Sequence, residues 1–285
     1  VSPAADLRAA GAGVPGGSYA ADLELALALA DAADEITLDR YQALDLVVET
    51  KPDLTPVSDA DTAVEQLIRD RLRVQRPADL VLGEEFGAGP PTEASGAPGG
   101  AGTRQWILDP IDGTKNFVRA VPVWATLIAL ADEGEVTVGV VSAPALGRRW
   151  WASRGAGSWA GGALVGQPRR IAVSQVASLA DASLSYSDTV GWPDGGVGFA
   201  ALARRCWRTR AYGDFWSHLL VAEGAVDVAV EPELSIWDVA ALVPVVVEAG
   251  GRITSRDGGS VLAGGGAVSS NGLVHDAAVE MLSRH

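Results

Sequence analysis

The chain has 285 residues, 48% of them hydrophobic, with a net charge of −14 and a pI near 4.6. That length predicts one or two domains, and so acidic a surface repels nucleic acid and anionic membrane, excluding both as partners. Cys206 is the only cysteine, which rules out an internal disulfide, and no apolar run reaches the roughly 18 residues of a membrane span.

Residues 1–17 are rich in Ala, Gly and Pro and lack the basic and apolar segments of a signal peptide, so they read as a disordered extension on a cytoplasmic protein. Apolar spacing predicts a helix over 18–41, with Leu23, Leu27, Ala30 and Asp34 on one face, and then a short strand at 46–49. Lys51-Pro-Asp-Leu-Thr-Pro56 breaks regular structure, and Ser58 starts a second helix with Asp59 and Asp61 in its first turn. Leu80-Val-Leu82 reads as a buried strand ending at Gly83-Glu-Glu85, followed by a Gly/Pro-rich loop over 86–102. The strand at 105–108 is expected to end at Asp109-Pro110, because proline cannot donate to a ladder. Residues 124–143 and 148–160 predict antiparallel strands, with Asp132-Glu-Gly134 as a turn.

The remainder alternates: strand 184–187, helix 199–206, strand 208–212, helix 214–223, strand 226–230 and helix 236–249. Strands at 252–255 and 267–269 and a closing helix at 276–284 complete it. Pro244 falls inside the 236–249 helix and removes the hydrogen bond to the Ala240 carbonyl, which predicts a kink. The alternation implies α/β layers, in an N-terminal half 18–182 and a C-terminal half 183–285.

The densest chemical signal is Trp106-Ile-Leu-Asp-Pro-Ile-Asp-Gly-Thr-Lys-Asn-Phe117. Asp109 and Asp112 follow an apolar strand, at the end where layered α/β folds bind ligands. Gly113 permits a tight turn, and Thr114 adds a hydroxyl. Hard oxygen ligands of this kind suit Mg²⁺, and bound metal would offset the repulsion between so acidic a chain and a phosphorylated substrate. Glu84 and Glu85 also follow a strand, where alternation lets at most one face a given metal. Asp238 sits three residues after Ser235, which fits a helix capping box; a first-turn acid can also be a ligand, held ionised by the dipole.

Other phosphatase chemistries fit poorly. Cys206 lacks an arginine six positions on, where Tyr212 stands, and the chain has only three histidines. Asp59-Ala-Asp-Thr-Ala63 approaches a haloacid-dehalogenase nucleophile motif but follows a polar turn instead of a buried strand, so it reads as a helix cap.

Gly83-Glu-Glu85, Asp109-Pro-Ile-Asp-Gly-Thr114 and Trp237-Asp238 together resemble the inositol monophosphatase family of Mg²⁺-dependent, Li⁺-sensitive phosphatases, with matching order and spacing over residues 20–285. The resemblance implies a mixed α/β fold, layered as an α-β-α-β-α sandwich, and a homodimer acting on a small phosphate monoester. It implies one Mg²⁺ at Glu84, Asp109 and the Ile111 carbonyl, and a second at Asp109, Asp112 and Asp238, with these positions bordering the substrate. Lys51 and Asp61 resemble the pair near a third, weaker metal. Glu84 and Thr114 would orient the attacking water, and the Gly113 and Thr114 N–H groups would hold phosphate oxygens. Lys51 and Lys115 are the only lysines among 22 basic residues, and both fall in or beside these motifs. A compact ammonium is not interchangeable with a guanidinium near a metal site.

Arg208-Thr-Arg-Ala-Tyr-Gly-Asp-Phe215 departs from the Gly-Ser-Ala-Ala-type segment of inositol phosphatases. With Lys-Pro-Asp-Leu-Thr-Pro-Val and Pro-Val-Trp it is similar to the histidinol-phosphate phosphatase branch. That substrate carries an amine and an imidazole, for which Asp214 and Glu231 are candidate partners. Arg208 is a candidate substrate contact. A helix cap at Asp214 and solvent exposure at Glu231 and Arg208 are the alternatives. Inositol phosphate or fructose bisphosphate hydrolysis, and non-catalytic sugar-phosphate binding, are the competing functions; no ligand carboxylate is missing, which disfavours the last.

Overall fold

The computed structural model describes residues 17–52, 54–88, 103–163 and 165–283. The expected extension up to residue 16 and most of the expected 86–102 loop lie outside them.

Helix α1 (Ala20–Arg40) buries Leu23, Leu27, Ala30 and Asp34, the predicted face. A short hairpin, β1 (Val48–Thr50) and β2 (Pro56–Ser58), leads into α2 (Asp59–Gln75), which buries Val64, Ile68 and Leu72. Next come β3 (Leu80–Gly83), β4 (Gly87–Ala88), β5 (Arg104–Asp112), the short helix α3 (Thr114–Val118), β6 (Ala125–Asp132), β7 (Glu135–Ala143), β8 (Arg148–Ser153), β9 (Ser158–Gly162) and β10 (Gly166–Arg170). These eight strands form one sheet in the order β10-β9-β8-β7-β6-β5-β3-β4, mostly antiparallel, with β3 parallel to β5.

Strand alternation divides the side chains between two faces. Trp106, Leu108, Ile128, Leu130, Val138, Val140 and Trp151 pack under α1 and α2. The polar member of the α1 face, Asp34, is explained by Arg149 of β8, which reaches it at 2.7 Å and is itself 2% exposed. Ile107, Leu127, Ala129, Val141 and Trp150 face the other way, onto helices from the C-terminal half.

That half holds β11 (Ser183–Tyr186), α4 (Val197–Arg205), β12 (Arg208–Arg210), α5 (Asp214–Ala222), β13 (Val228–Leu234), α6 (Ile236–Ala240), α7 (Leu242–Glu248), β14 (Arg252–Ser255), β15 (Gly265–Ser270) and α8 (His275–Leu282). Its five strands form a second sheet, β12-β11-β13-β15-β14. Helices α5, α6 and α7 lie between the sheets, sharing a core with the large one. Phe199 and Leu202 of α4 and Ala278 of α8 cover the small sheet's outer face. The layers therefore run α-β-α-β-α.

One local reading changes and another is made specific. The strand does not end at Asp109-Pro110: β5 continues to Asp112, pairing with β6 at Asp109↔Leu127 and again at Asp112↔Ala125 across an irregularity. Proline removes only a donor; the Pro110 carbonyl still accepts the Thr126 hydroxyl at 2.8 Å, and the bulge absorbs the missing bond. The 236–249 helix divides at Ala241 into α6 and α7, the interruption that Pro244 predicts. The junction rests on Gly139 of β7, where a Cβ would lie 2.2 Å from the Ala241 carbonyl oxygen. Only glycine allows that approach.

Candidate active site

The bulge at the end of β5 turns both of its aspartates toward the N-terminus of α6. Asp109, Asp112 and Asp238 each bring a carboxylate oxygen within 4.8 Å of the other two. Asp109 is 1% exposed, and neither of its oxygens has a hydrogen-bond donor among the described residues. Burial, reinforced by the charges of Glu84, Asp112 and Asp238, raises its carboxyl well above the usual range. Burial and the charges of Asp214 and Asp238 do the same to Asp112, whose Oδ2 accepts the Phe215 N–H at 2.8 Å. Asp238 is pushed up to about 6 by burial, against the stabilising bond its Oδ2 receives from the Ser235 N–H at 2.7 Å. That bond belongs to a full capping box, so Asp238 is both a helix cap and a member of the cluster.

Glu84 stands at the cluster's edge, where its charge raises all three aspartates. Glu84 and Glu85 do not point apart: both reach the Lys51 ammonium, at 2.8 and 2.7 Å. Alternation fails because β3 ends at Gly83 and the pair occupies a turn. Against the lowering effect of its own burial, the two carboxylates raise Lys51 above its ordinary value. Asp61 is fully buried and caps α2: its Oδ2 accepts from the Ser58 N–H and hydroxyl, and its Oδ1 lies 3.3 Å from the Thr114 hydroxyl. Burial pushes Asp61 up to about 6 against the bonds from Ser58. The Thr114 hydroxyl also reaches the Ile111 carbonyl at 2.9 Å. Gly113 precedes it at φ 82°, where a Cβ would meet the Val123 carbonyl at 2.9 Å.

A cavity of about 690 Å³ opens beside this cluster, bordered by Glu84, Gly113, Thr114 and Asp238. Its wall also includes Asp188, Tyr212, Asp214, Glu233 and Trp237. Asp214 has the left-handed φ of 48°, uncommon outside glycine. It is held there by its N–H on the Ser187 hydroxyl at 2.7 Å and by Asn116 Nδ2, which donates to Asp214 Oδ2 at 2.8 Å. Burial pushes Asp214 up to about 6, opposed by the Lys115 charge. Glu231 is 3% exposed and lies behind this wall, accepting the Ser187 hydroxyl at 2.6 Å. Burial pushes it up to about 8. Arg208 also stands back from the cavity: its guanidinium meets the Tyr212 hydroxyl at 3.4 Å and lies over the Trp207 ring.

Asp188, Glu233 and Ser187 fell in no motif, and Asn116, inside the Trp106–Phe117 string, had no role assigned from it. The alternation Glu231-Pro-Glu233 at a strand end was the available hint for Glu233, and it needed the sheet order to be read.

A model of the inositol monophosphatase family matches residues 19–285. The chain belongs to the inositol monophosphatase family. The histidinol-phosphatase of Mycobacterium tuberculosis is similar to it at 59% identity over 267 residues, 92% of this chain and 97% of that one. The histidinol-phosphatase of Streptomyces coelicolor is 56% identical over 264 residues, 90% of this chain and 95% of its own. An inositol monophosphatase from Zymomonas mobilis matches in structure with a TM-score of 0.80 at 28% identity, over 94% of this chain and 100% of that chain. The family consists of metal-dependent phosphatases, and the clustered aspartates are the donor set such chemistry needs. No helix among the described residues is long and apolar enough to cross a membrane.

Proposed function

We propose that this protein is a Mg²⁺-dependent phosphatase that hydrolyses histidinol phosphate to histidinol and inorganic phosphate. The observation that carries the substrate reading is the acidic lining of the cavity. Besides members of the metal-type cluster, the cavity is lined by Asp188, Asp214 and Glu233 and by Tyr212 and Trp237, and Lys115 is the only basic residue among the described cavity-lining residues. A neutral polyol gains little from three carboxylates; a cationic amine and an imidazole gain charge-assisted bonds and ring contacts. The relatives above, more than half identical over nine-tenths of the chain, support the same substrate.

The donor set fits Mg²⁺. Asp109 presents two buried oxygens that receive no hydrogen bond from the described residues, among three mutually repelling carboxylates, and the ligand atoms are hard oxygens. Asp109, Asp112, Asp238, Glu84 and the Ile111 carbonyl are the groups that would hold it. When bound, the metal supplies Lewis acidity and lowers the cost of charge on the scissile phosphate.

The chain's own groups then have defined tasks. Lys51 fixes the Glu84 carboxylate, and Asp61 Oδ1 accepts from the Thr114 hydroxyl, so Glu84 and Thr114 can orient a water toward phosphorus. As the new P–O bond forms, the water gives a proton to Thr114 while Thr114 passes its own to Asp61. The histidinol oxygen leaves with the broken P–O bond's electron pair and takes a proton from solvent. The Gly113 and Thr114 N–H groups start a helix, where no preceding turn supplies acceptors, and suit phosphate oxygens. The acid wall holds the aminoalcohol end in place.

Phosphate release by purified protein with Mg²⁺ tests this, using histidinol phosphate, inositol 1-phosphate and fructose 1,6-bisphosphate. Histidinol phosphate is expected to have a kcat/KM at least about tenfold above the other two. Faster turnover of either polyol ester would refute the reading.

A further inference from the structure

Glu65 lies on α2, one turn beyond Asp61, fully buried and outside the cavity lining. A buried carboxylate is costly unless it is fully bonded, so its partners show what it is for. Oε2 accepts the Glu85 N–H at 2.8 Å. Oε1 accepts the Phe86 N–H at 3.2 Å and Arg69 Nε at 2.8 Å. The carboxylate also lies against the Gly83 Cα: a Cβ there would fall 2.1 Å from Oε1, so glycine is required for the fit. Arg69, besides balancing the charge, donates to the Gly87 carbonyl and lies over the Phe86 ring. Apart from the Glu65–Arg69 pair itself, every one of these contacts falls on residues 83–87, the turn that carries Glu84.

We infer that Glu65 is a positioning residue for Glu84: it clamps the Gly83–Gly87 backbone so that the Glu84 carboxylate is presented at a fixed place beside Asp109 and Asp238. Two adjacent N–H groups on one carboxylate set both the position and the tilt of the turn, which a single bond would leave free. Because α2 also carries Asp61, one rigid helix fixes two separate parts of the site. A group that orients a metal ligand typically changes metal affinity by 10- to 100-fold when lost.

The inference rests on the reading of Glu84 as a metal-binding group, and the test separates the two. Mg²⁺ binding is measured by calorimetry without substrate, on the full chain, for wild type, Glu65→Gln, Glu84→Gln and the double variant. Glutamine keeps the shape but turns one acceptor into a donor facing an N–H. Glu65→Gln is expected to weaken Mg²⁺ about tenfold, and to change affinity less than about twofold when Glu84 is already Gln. Glu65→Asp, which keeps the charge but withdraws it by one methylene, is expected to behave like Glu65→Gln. Equal losses from Glu65→Gln in both backgrounds, or wild-type affinity in Glu65→Asp, would overturn the inference. Unchanged Mg²⁺ affinity in Glu84→Gln would instead overturn the metal reading beneath it. If Glu65→Gln does not fold, the Glu65→Asp variant carries the same cycle.

Discussion

Replacing Asp109 with asparagine removes one charge from the centre of the acidic cluster while keeping the side chain's volume. One oxygen of Asp109 lies within 4.8 Å of oxygens of Asp112 and Asp238, and among the described residues neither Asp109 oxygen has a donor. Two unit charges at that distance repel by about 3.5 kcal/mol at an effective dielectric constant of about 20. Protonation at the raised pKa caps the cost, so the neutral side chain should stabilise the metal-free fold by about 1–3 kcal/mol at pH 8. For a protein of this size that is about 2–4 °C in Tm per kcal/mol. With Mg²⁺ at about 1,000 times its Kd, the wild type gains about 4.1 kcal/mol, most of which the variant forgoes. The order of stability should therefore invert: Asp109→Asn melts above wild type in EDTA and below it in saturating Mg²⁺. Turnover should fall by at least about 100-fold. Thermal melts with and without Mg²⁺, together with phosphate release, measure all three effects. A metal-free Tm at or below wild type, or near-normal turnover by the folded variant, refutes the reasoning.

Glu233→Gln should lower kcat/KM for histidinol phosphate by about tenfold more than for glycerol phosphate, since a charge-assisted bond is lost only with the former; equal losses remove it from recognition. In the absence of divalent metal, Asp61, Asp214 and Asp238 at about 6 and Glu231 at about 8 hold protons more tightly folded than unfolded. Their contribution is fully present below pH about 4 and is lost as pH rises through 6 to 8, so urea midpoints in EDTA should fall between pH 5 and pH 8. A midpoint that rises over that interval contradicts the sign. Gly139→Ala places a methyl against the Ala241 carbonyl and Pro244 and should cost about 1–3 kcal/mol in urea unfolding; unchanged stability would mean the α6–α7 junction does not rest on β7.

The acids that cluster were legible because each sits in a short string that local rules can interpret. Asp109 and Asp112 follow an apolar strand, and Asp238 follows a serine at capping distance. The break at Ala241 was legible for a similar reason, since one proline removes one identifiable bond. What failed was contextual. The path of β5 past Pro110 depends on a bulge opposite β6, and the common direction of Glu84 and Glu85 depends on a turn that Glu65 holds from another helix. The acidic wall brings together residues from β13 and from the segments around Ser187 and Asp214. Their adjacency follows from parallel pairing of β11 with both β12 and β13, partners that the sequence separates by more than 20 residues.

Asp61 and Asp238 occupy the same position in two helices, the third residue after a serine that each caps reciprocally. In both, Oδ2 is committed to the helix start: to the Ser58 N–H and hydroxyl, or to the Ser235 N–H. Folding and chemistry thus depend on the same side chains at two places. Asparagine could keep the cap while disabling the site, whereas alanine would fray a helix as well. A lineage that no longer needed the activity would still be under pressure to keep near-isosteres there, so acidic or amide residues at these positions would outlast the reaction they once served.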